Sequence, residues 1–100
     1  MRAAVKGYPE KNGTELKEVE VPRVDSNGIL VKVDVVGICG TDLHIYRWDD
    51  WAKTHINPPL IYGHEFVGEV VDKGSNANWV QIGDRVSGEC HIACGHCYNC

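Results

Sequence analysis

Residues 29–44 read ILVKVDVVGICGTDLH, and this stretch decides the fold. From Ile29 to Val36 apolar, mostly β-branched residues alternate with Lys32 and Asp34, a pattern typical of a half-buried strand that ends at a glycine. The polar residues Thr41 and Asp42 then predict the start of a short helix, with one of them as its N-cap. The order strand, turn and helix places a cysteine, residue 39, at the junction.

Short strands separated by turn residues are predicted on both sides of this stretch. Strands are predicted at Ala3–Lys6, Leu16–Val21 and Phe66–Val71, and at Val80–Val86 around a Gly83-Asp84 turn. The aromatic segment Trp48–Pro59 is predicted to be irregular, because adjacent prolines bar a helix at its end. Strands at this spacing with one short helix predict a mainly β fold, namely a small β-barrel.

The composition excludes several classes of protein. The 100 residues carry a net charge of −4 and fit one domain. Lys and Arg do not cluster, which argues against a nucleic-acid partner. The apolar runs are far shorter than the ~20 residues of a membrane span, so no membrane partner is expected. The first residues lack the apolar core of a signal peptide, and a cytoplasmic protein is therefore predicted.

The cysteines near residue 100 are spaced as metal ligands. Cys94, Cys97 and Cys100 follow a C-x-x-C-x-x-C pattern, which points several thiolates at one centre and favours zinc. An iron–sulfur cluster is the alternative, because the same spacing opens a ferredoxin motif. The fourth ligand would be either Cys90 or a residue beyond Cys100. Since the chain ends on a ligand of this cluster, we expect it to be truncated.

A second set of candidate ligands consists of Cys39 and the pair His64-Glu65. A thiolate, an imidazole and a carboxylate would supply the three protein ligands of a catalytic zinc and leave one position open. The 25-residue separation also allows ordinary polar residues that never meet. Near Cys39, Thr41 and His44 fit a hydroxyl and an imidazole that move a proton, or an N-cap and a surface histidine.

Four motifs in one order resemble the medium-chain zinc alcohol dehydrogenase family. They are Gly37–His44, Gly63–Val70, Val80–Val86 and Cys94–Cys100. The resemblance implies that residues 1–100 form the N-terminal part of a GroES-like β-barrel catalytic domain with a structural-zinc lobe. A Rossmann domain that binds NAD would lie downstream. Relatives also imply a small-molecule substrate and a homotetramer.

The resemblance also implies a role for each candidate residue. Cys39, His64 and Glu65 would hold the catalytic zinc, while Thr41 and His44 would relay the proton of the alcohol. Cys94, Cys97 and Cys100 would hold the structural zinc, with a fourth cysteine a few residues beyond the chain. His91 would lie near the substrate. Cys90 departs from the pattern, because relatives often have Gly or Ser at that position.

Finer features resemble one branch of the family, the L-threonine 3-dehydrogenases. These features are His44–Ala52, Ile56–Pro59 and Ser87–Cys94. The implied reaction oxidises L-threonine to 2-amino-3-ketobutyrate with hydride transfer to NAD. The alternatives are a sorbitol- or butanediol-type dehydrogenase, a non-enzymatic metal-binding module and a zinc-free reductase.

Overall fold

The chain folds into two antiparallel sheets joined by short helices, as seen in a computed structural model that describes residues 1–91 and 93–100. The strands of the described residues are β1 (Arg2–Lys6), β2 (Thr14–Glu18), β3 (Ile29–Val36), β4 (Leu60–Ile61), β5 (Phe66–Lys73) and β6 (Arg85–Ser87). The helices are α1 (Gly40–Arg47) and α2 (Asp50–His55). Ile92, which belongs to the predicted Ser87–Cys94 motif, lies outside the described residues.

The first sheet has the strand order β2-β1-β4. Its register pairs Arg2 with Glu18 and Lys6 with Thr14. The predicted boundaries Leu16–Val21 for the second strand were therefore wrong, because β1 offers partners from Glu18 back to Thr14.

The second sheet has the strand order β3-β5-β6 and carries the longest strands. β3 occupies the predicted range Ile29–Val36, and its last residue pairs with Phe66 at the start of β5. Burial on one face is incomplete, since Val35 is 61% exposed. The predicted strand Val80–Val86 forms only from Arg85 onward, because the chain turns at Gly83, whose φ is +95°.

The hydrophobic core at the second sheet is small and lies at β5. Val70, Ala77 and Val80 are buried there, and Ile29 and Val86 pack against them. The mainly β fold class is confirmed. In the part of the chain that the structure describes, the two sheets remain separate three-stranded sheets and do not close into one barrel.

Helix α1 differs from the sequence-based prediction at its N-cap, and α2 was not predicted. The N-cap of α1 is Cys39 rather than Thr41 or Asp42, because Asp42 is the third helical residue and its carboxylate accepts a hydrogen bond from the Cys39 N–H. α2 was missed, since the segment from Trp48 was predicted to be irregular. Asp49 starts this helix by accepting the Ala52 N–H at 3.1 Å, and the helix ends before the prolines. Neither of these described helices is long and apolar enough to cross a bilayer.

Candidate metal centre and catalytic cleft

The pairing of β3 with β5 brings together residues that are 25 positions apart in the sequence. Val36 lies opposite Phe66, and the Gly37 N–H donates to the Glu65 carbonyl oxygen at 2.6 Å. The chain leaves β3 toward Cys39 at the same end of the sheet where it enters β5 from His64. Strand pairing thus brings Cys39 close to His64 despite their separation in the sequence.

Cys39, His64 and Glu65 present one donor atom each within 4.8 Å of the others. Cys39 and His64 are half-buried, whereas Glu65 is exposed. The three residues line a cleft of about 670 Å³ whose apolar wall includes Val35 and Phe66. A thiolate, an imidazole and a carboxylate form a mixed S, N and O donor set that suits zinc, and three protein ligands are the number typical of a catalytic zinc site.

A buried carboxylate, Asp42, stands behind these donors. Its Oδ2 atom accepts the Cys39 N–H at 2.9 Å, while its Oδ1 atom has no hydrogen-bond partner and lies 3.7 Å from Nδ1 of His64. A distance of 3.7 Å is electrostatic contact rather than a hydrogen bond. A metal-binding histidine commonly directs its second nitrogen at a carboxylate, and the unpartnered Oδ1 fits that role for His64.

Glycine at position 37 leaves the room that the Glu65 side chain occupies. A Cβ atom at this position would lie 2.9 Å from Oε2 of Glu65 and 3.2 Å from its Cβ. Any larger residue would therefore require the Glu65 side chain to shift.

Thr41 and His44, predicted to act together, lie at different distances from the cleft. Oγ1 of Thr41 is 3.8 Å from Sγ of Cys39, and Thr41 lines the cleft. His44 lies almost one helical turn further along α1 and is 54% exposed at its side chain. Its Nδ1 atom contacts Oδ2 of Asp49. The structure thus places the hydroxyl at the donor cluster and the imidazole toward solvent.

The three cysteines at 94, 97 and 100 form a separate exposed cluster. Sγ of Cys100 lies 3.3 Å from Sγ of Cys94 and 3.2 Å from Sγ of Cys97. Hydrogen bonds from Cys97 and Cys94 stabilise its thiolate and lower the pKa of Cys100 to about 6. A backbone hydrogen bond from His96 is the main cause that lowers the pKa of Cys94. Thiolates are the metal-binding form of cysteine, so the lowered pKa values favour metal binding by this lobe, the segment Cys94–Cys100.

Cys90 belongs with the cleft, although the sequence left it as a candidate ligand of the lobe. It lines the cleft together with Glu89, and these two residues form a third donor group with His91. The Cys90 thiol donates to Glu89 at 3.5 Å, which raises the pKa of Cys90. Nδ1 of His91 lies 2.5 Å from the same carboxylate and lowers the pKa of Glu89.

Three residues near the site were not predicted to support it: Asp42, Asp49 and Glu89. Asp42 was considered only as an N-cap, and its position three residues after Cys39 matches the spacing of a capping box. Asp49 directly precedes residues 50–55, which can form a helix, and an aspartate at that position is a signal for an N-cap. For Glu89 nothing in the local sequence indicates a position in the cleft.

Comparison with known proteins identifies a family. The sequence pattern of the alcohol dehydrogenase GroES-like domain matches residues 25–100. The L-threonine 3-dehydrogenase of Chelativorans sp. (strain BNC1) is 53% identical over 100% of this chain and 29% of its own length. The alcohol dehydrogenase TADH from Thermus sp. ATN1 superposes with a TM-score of 0.82 at 42% identity, over 100% of this chain and 28% of that one. An alcohol dehydrogenase of E. coli CFT073, solved with NADH, superposes with a TM-score of 0.81 at 33% identity, over 100% of this chain and 27% of that one.

The cysteine chemistry generates a reactivity prediction. In the metal-free chain near neutral pH, iodoacetamide should alkylate Cys100 about tenfold faster than Cys90, because the first is largely thiolate and the second is held as a thiol. Peptide mapping by mass spectrometry over a time course measures both rates. In denaturant the two rates should become similar. Equal rates in the folded chain, or faster labelling of Cys90, would contradict the assigned contacts.

Proposed function

Since this chain belongs to the family of alcohol dehydrogenase GroES-like domains, we propose that it holds the catalytic and structural zinc ions of an NAD-dependent dehydrogenase acting on L-threonine. The product would be 2-amino-3-ketobutyrate. The chain spans 29% of the length of one L-threonine 3-dehydrogenase that it matches and 28% of another. The activity is therefore proposed for a longer polypeptide, in which residues 1–100 are the N-terminal part of the catalytic domain and a Rossmann domain follows.

The observation that carries the proposal is the convergence of Cys39, His64 and Glu65 at an open cleft. Three protein ligands with an open position are typical of catalytic zinc, whereas four closed ligands are typical of structural zinc. For the lobe we propose Cys94, Cys97 and Cys100 with a fourth ligand supplied from further along the polypeptide. Cys90 is not proposed for that role, because it lies in the cleft. We also propose that the protein is cytoplasmic, because a reducing compartment keeps cysteines available as metal ligands.

The proposed reaction needs a hydride acceptor and a path for one proton. When bound, zinc would supply Lewis acidity toward the substrate oxygen and NAD would supply the hydride acceptor. The side chains of this protein would supply the path for the proton. The Thr41 hydroxyl lies at the donor cluster and would take up the proton of the alcohol at Oγ1 while passing on its own. His44 would receive that proton and release it to solvent, to which it is exposed. Val35 and Phe66 would form an apolar side of the substrate site.

A carboxylate in the cleft that is not among the proposed zinc ligands favours an amino alcohol over a neutral polyol. Glu89 lines the cleft, whereas the charge of Glu65 would be offset by the zinc ion that it is proposed to hold. A cleft lined by negative charge raises the local concentration of a cation such as the ammonium group of threonine. We propose that His91, which contacts Glu89, lies beside the bound substrate and holds that carboxylate in place.

The role proposed for Asp42 leads to a prediction about metal affinity. Asp42→Asn keeps the shape and the hydrogen bond to the Cys39 N–H, but it removes the negative charge beside Nδ1 of His64. Zinc affinity of the cleft site should fall about 10- to 100-fold, as for other carboxylates that orient a histidine ligand. Competition with a chromophoric chelator measures it. Asp34→Asn is the matched control, because Asp34 is a surface carboxylate that pairs with Arg85. Equal affinity of both variants would contradict this role.

The substrate is tested by turnover of the complete dehydrogenase. With NAD, kcat/KM for L-threonine should exceed the values for sorbitol and 2,3-butanediol by at least about tenfold, because only threonine carries an ammonium group. His64→Ala should abolish turnover of all three substrates. A preference for sorbitol or butanediol would show that the substrate is a polyol and not threonine. Normal turnover by His64→Ala would refute the zinc site.

A further inference from the structure

His44 and Asp49 form a side-chain pair across the corner between the two helices. Nδ1 of His44 contacts Oδ2 of Asp49, while Oδ1 of Asp49 accepts the Ala52 N–H at 3.1 Å as the N-cap of α2. One carboxylate thus uses its two oxygens for two different partners. The His44 hydrogen bond is the main cause that lowers the pKa of Asp49, so this carboxylate is ionised at neutral pH.

We propose that Asp49 is a positioning residue that fixes neutral His44 in the tautomer with its proton on Nδ1, leaving Nε2 as the proton-accepting atom. The inference rests on the proposed function, in which His44 takes a proton from Thr41 and releases it to solvent. An ionised carboxylate has no hydrogen to donate, so the shared proton between Oδ2 and Nδ1 must belong to the imidazole. The lone pair of neutral His44 therefore lies on Nε2.

The backbone of the corner holds this pair in register. α1 ends at Arg47, and Trp48 adopts a left-handed conformation with φ of 54°, which returns the chain toward His44. Left-handed backbone is uncommon for a residue with a large side chain and persists where the surroundings hold it. Here Nζ of Lys6 lies 5.2 Å from the centroid of the Trp48 ring and donates to the Tyr46 carbonyl oxygen at 3.2 Å. Lys6 thereby ties β1 to the end of α1.

The side chain of Trp51 also restricts the His44 ring. The Trp51 ring lies 5.8 Å from it, with the two planes tilted by 52°. Trp51 stacks in turn on His55 at 4.9 Å. His44 is therefore held at Nδ1 by Asp49 and flanked by an indole, while more than half of its side chain remains exposed. Such an arrangement restricts the ring and still allows a proton to leave to water.

The chain offers a matched pair of variants for the test. In Asp49→Asn the side-chain carbonyl can still cap α2, because asparagine is as good an N-cap as aspartate. The amide nitrogen then takes the place of Oδ2 and donates to Nδ1 of His44, which forces the imidazole proton onto Nε2. Asp50→Asn is the control: Asp50 lies in the same first turn but pairs with Lys53 at 2.9 Å.

The direct readout is the tautomer of His44, measured from the ring ¹⁵N chemical shifts of the histidine-labelled chain at a pH where the imidazole is neutral. Wild type and Asp50→Asn should show the proton on Nδ1, and Asp49→Asn should show it on Nε2. A wild-type His44 with its proton on Nε2, or an unchanged tautomer in Asp49→Asn, would overturn the proposal. Circular dichroism of both variants checks that the cap and the helix are retained.

Turnover of the complete dehydrogenase separates this inference from the function on which it rests. Asp49→Asn should lower kcat about tenfold with little change in KM, because a misdirected base loses part of its contribution to proton transfer. Asp50→Asn should match wild type. A reversed tautomer with unchanged kcat would refute the proton relay through His44 while upholding the action of Asp49 on its tautomer.

Discussion

The antiparallel pairing of β3 with β5 places Val36 opposite Phe66, and every feature of the cleft depends on that register. The chain reaches Cys39 after leaving β3 and passes His64 and Glu65 just before entering β5, so their donor atoms meet at one end of the sheet. A slip of one residue would turn the side chains of one strand to the opposite face. Gly37 and Asp42 then refine the arrangement, the first by leaving room for the Glu65 carboxylate and the second by contacting both Cys39 and His64.

The two candidate metal sites are built in different ways, and this determines what the sequence could predict. Cys94, Cys97 and Cys100 lie within one short segment, so their spacing alone predicts a cluster, and the structure has their sulfur atoms close together. Cys39 and His64 meet only through strand pairing, which residue spacing cannot reveal. The match to the family's motifs predicted that they act together, whereas the spacing of the residues alone favoured an ordinary cysteine and an ordinary polar pair. Their function as ligands stays a prediction.

The prediction was least reliable where one side chain serves two elements. The strand Ile29–Val36 was predicted with its observed boundaries, because a β-branched residue at every second position from Ile29 to Val35 is a strong local signal. The helix at Asp50–His55 was missed, since the nearby prolines suggested an irregular segment and the N-cap at Asp49 was not recognised. Asp49 also contacts His44, five residues earlier, and Asp42 contacts His64, which lies 22 residues away. Contacts of this kind follow from the fold and have no signature in local sequence.

The central claim is that the sheet assembles a zinc site from Cys39, His64 and Glu65, and it is tested most directly by counting metal at that site alone. Elemental analysis of the Cys97→Ser chain, in which the lobe has lost a ligand, should give about one zinc per chain. Adding His64→Ala to this variant should remove that zinc, since two donors remain. A Cys97→Ser chain that binds no zinc, or zinc that persists after His64→Ala, would contradict the account.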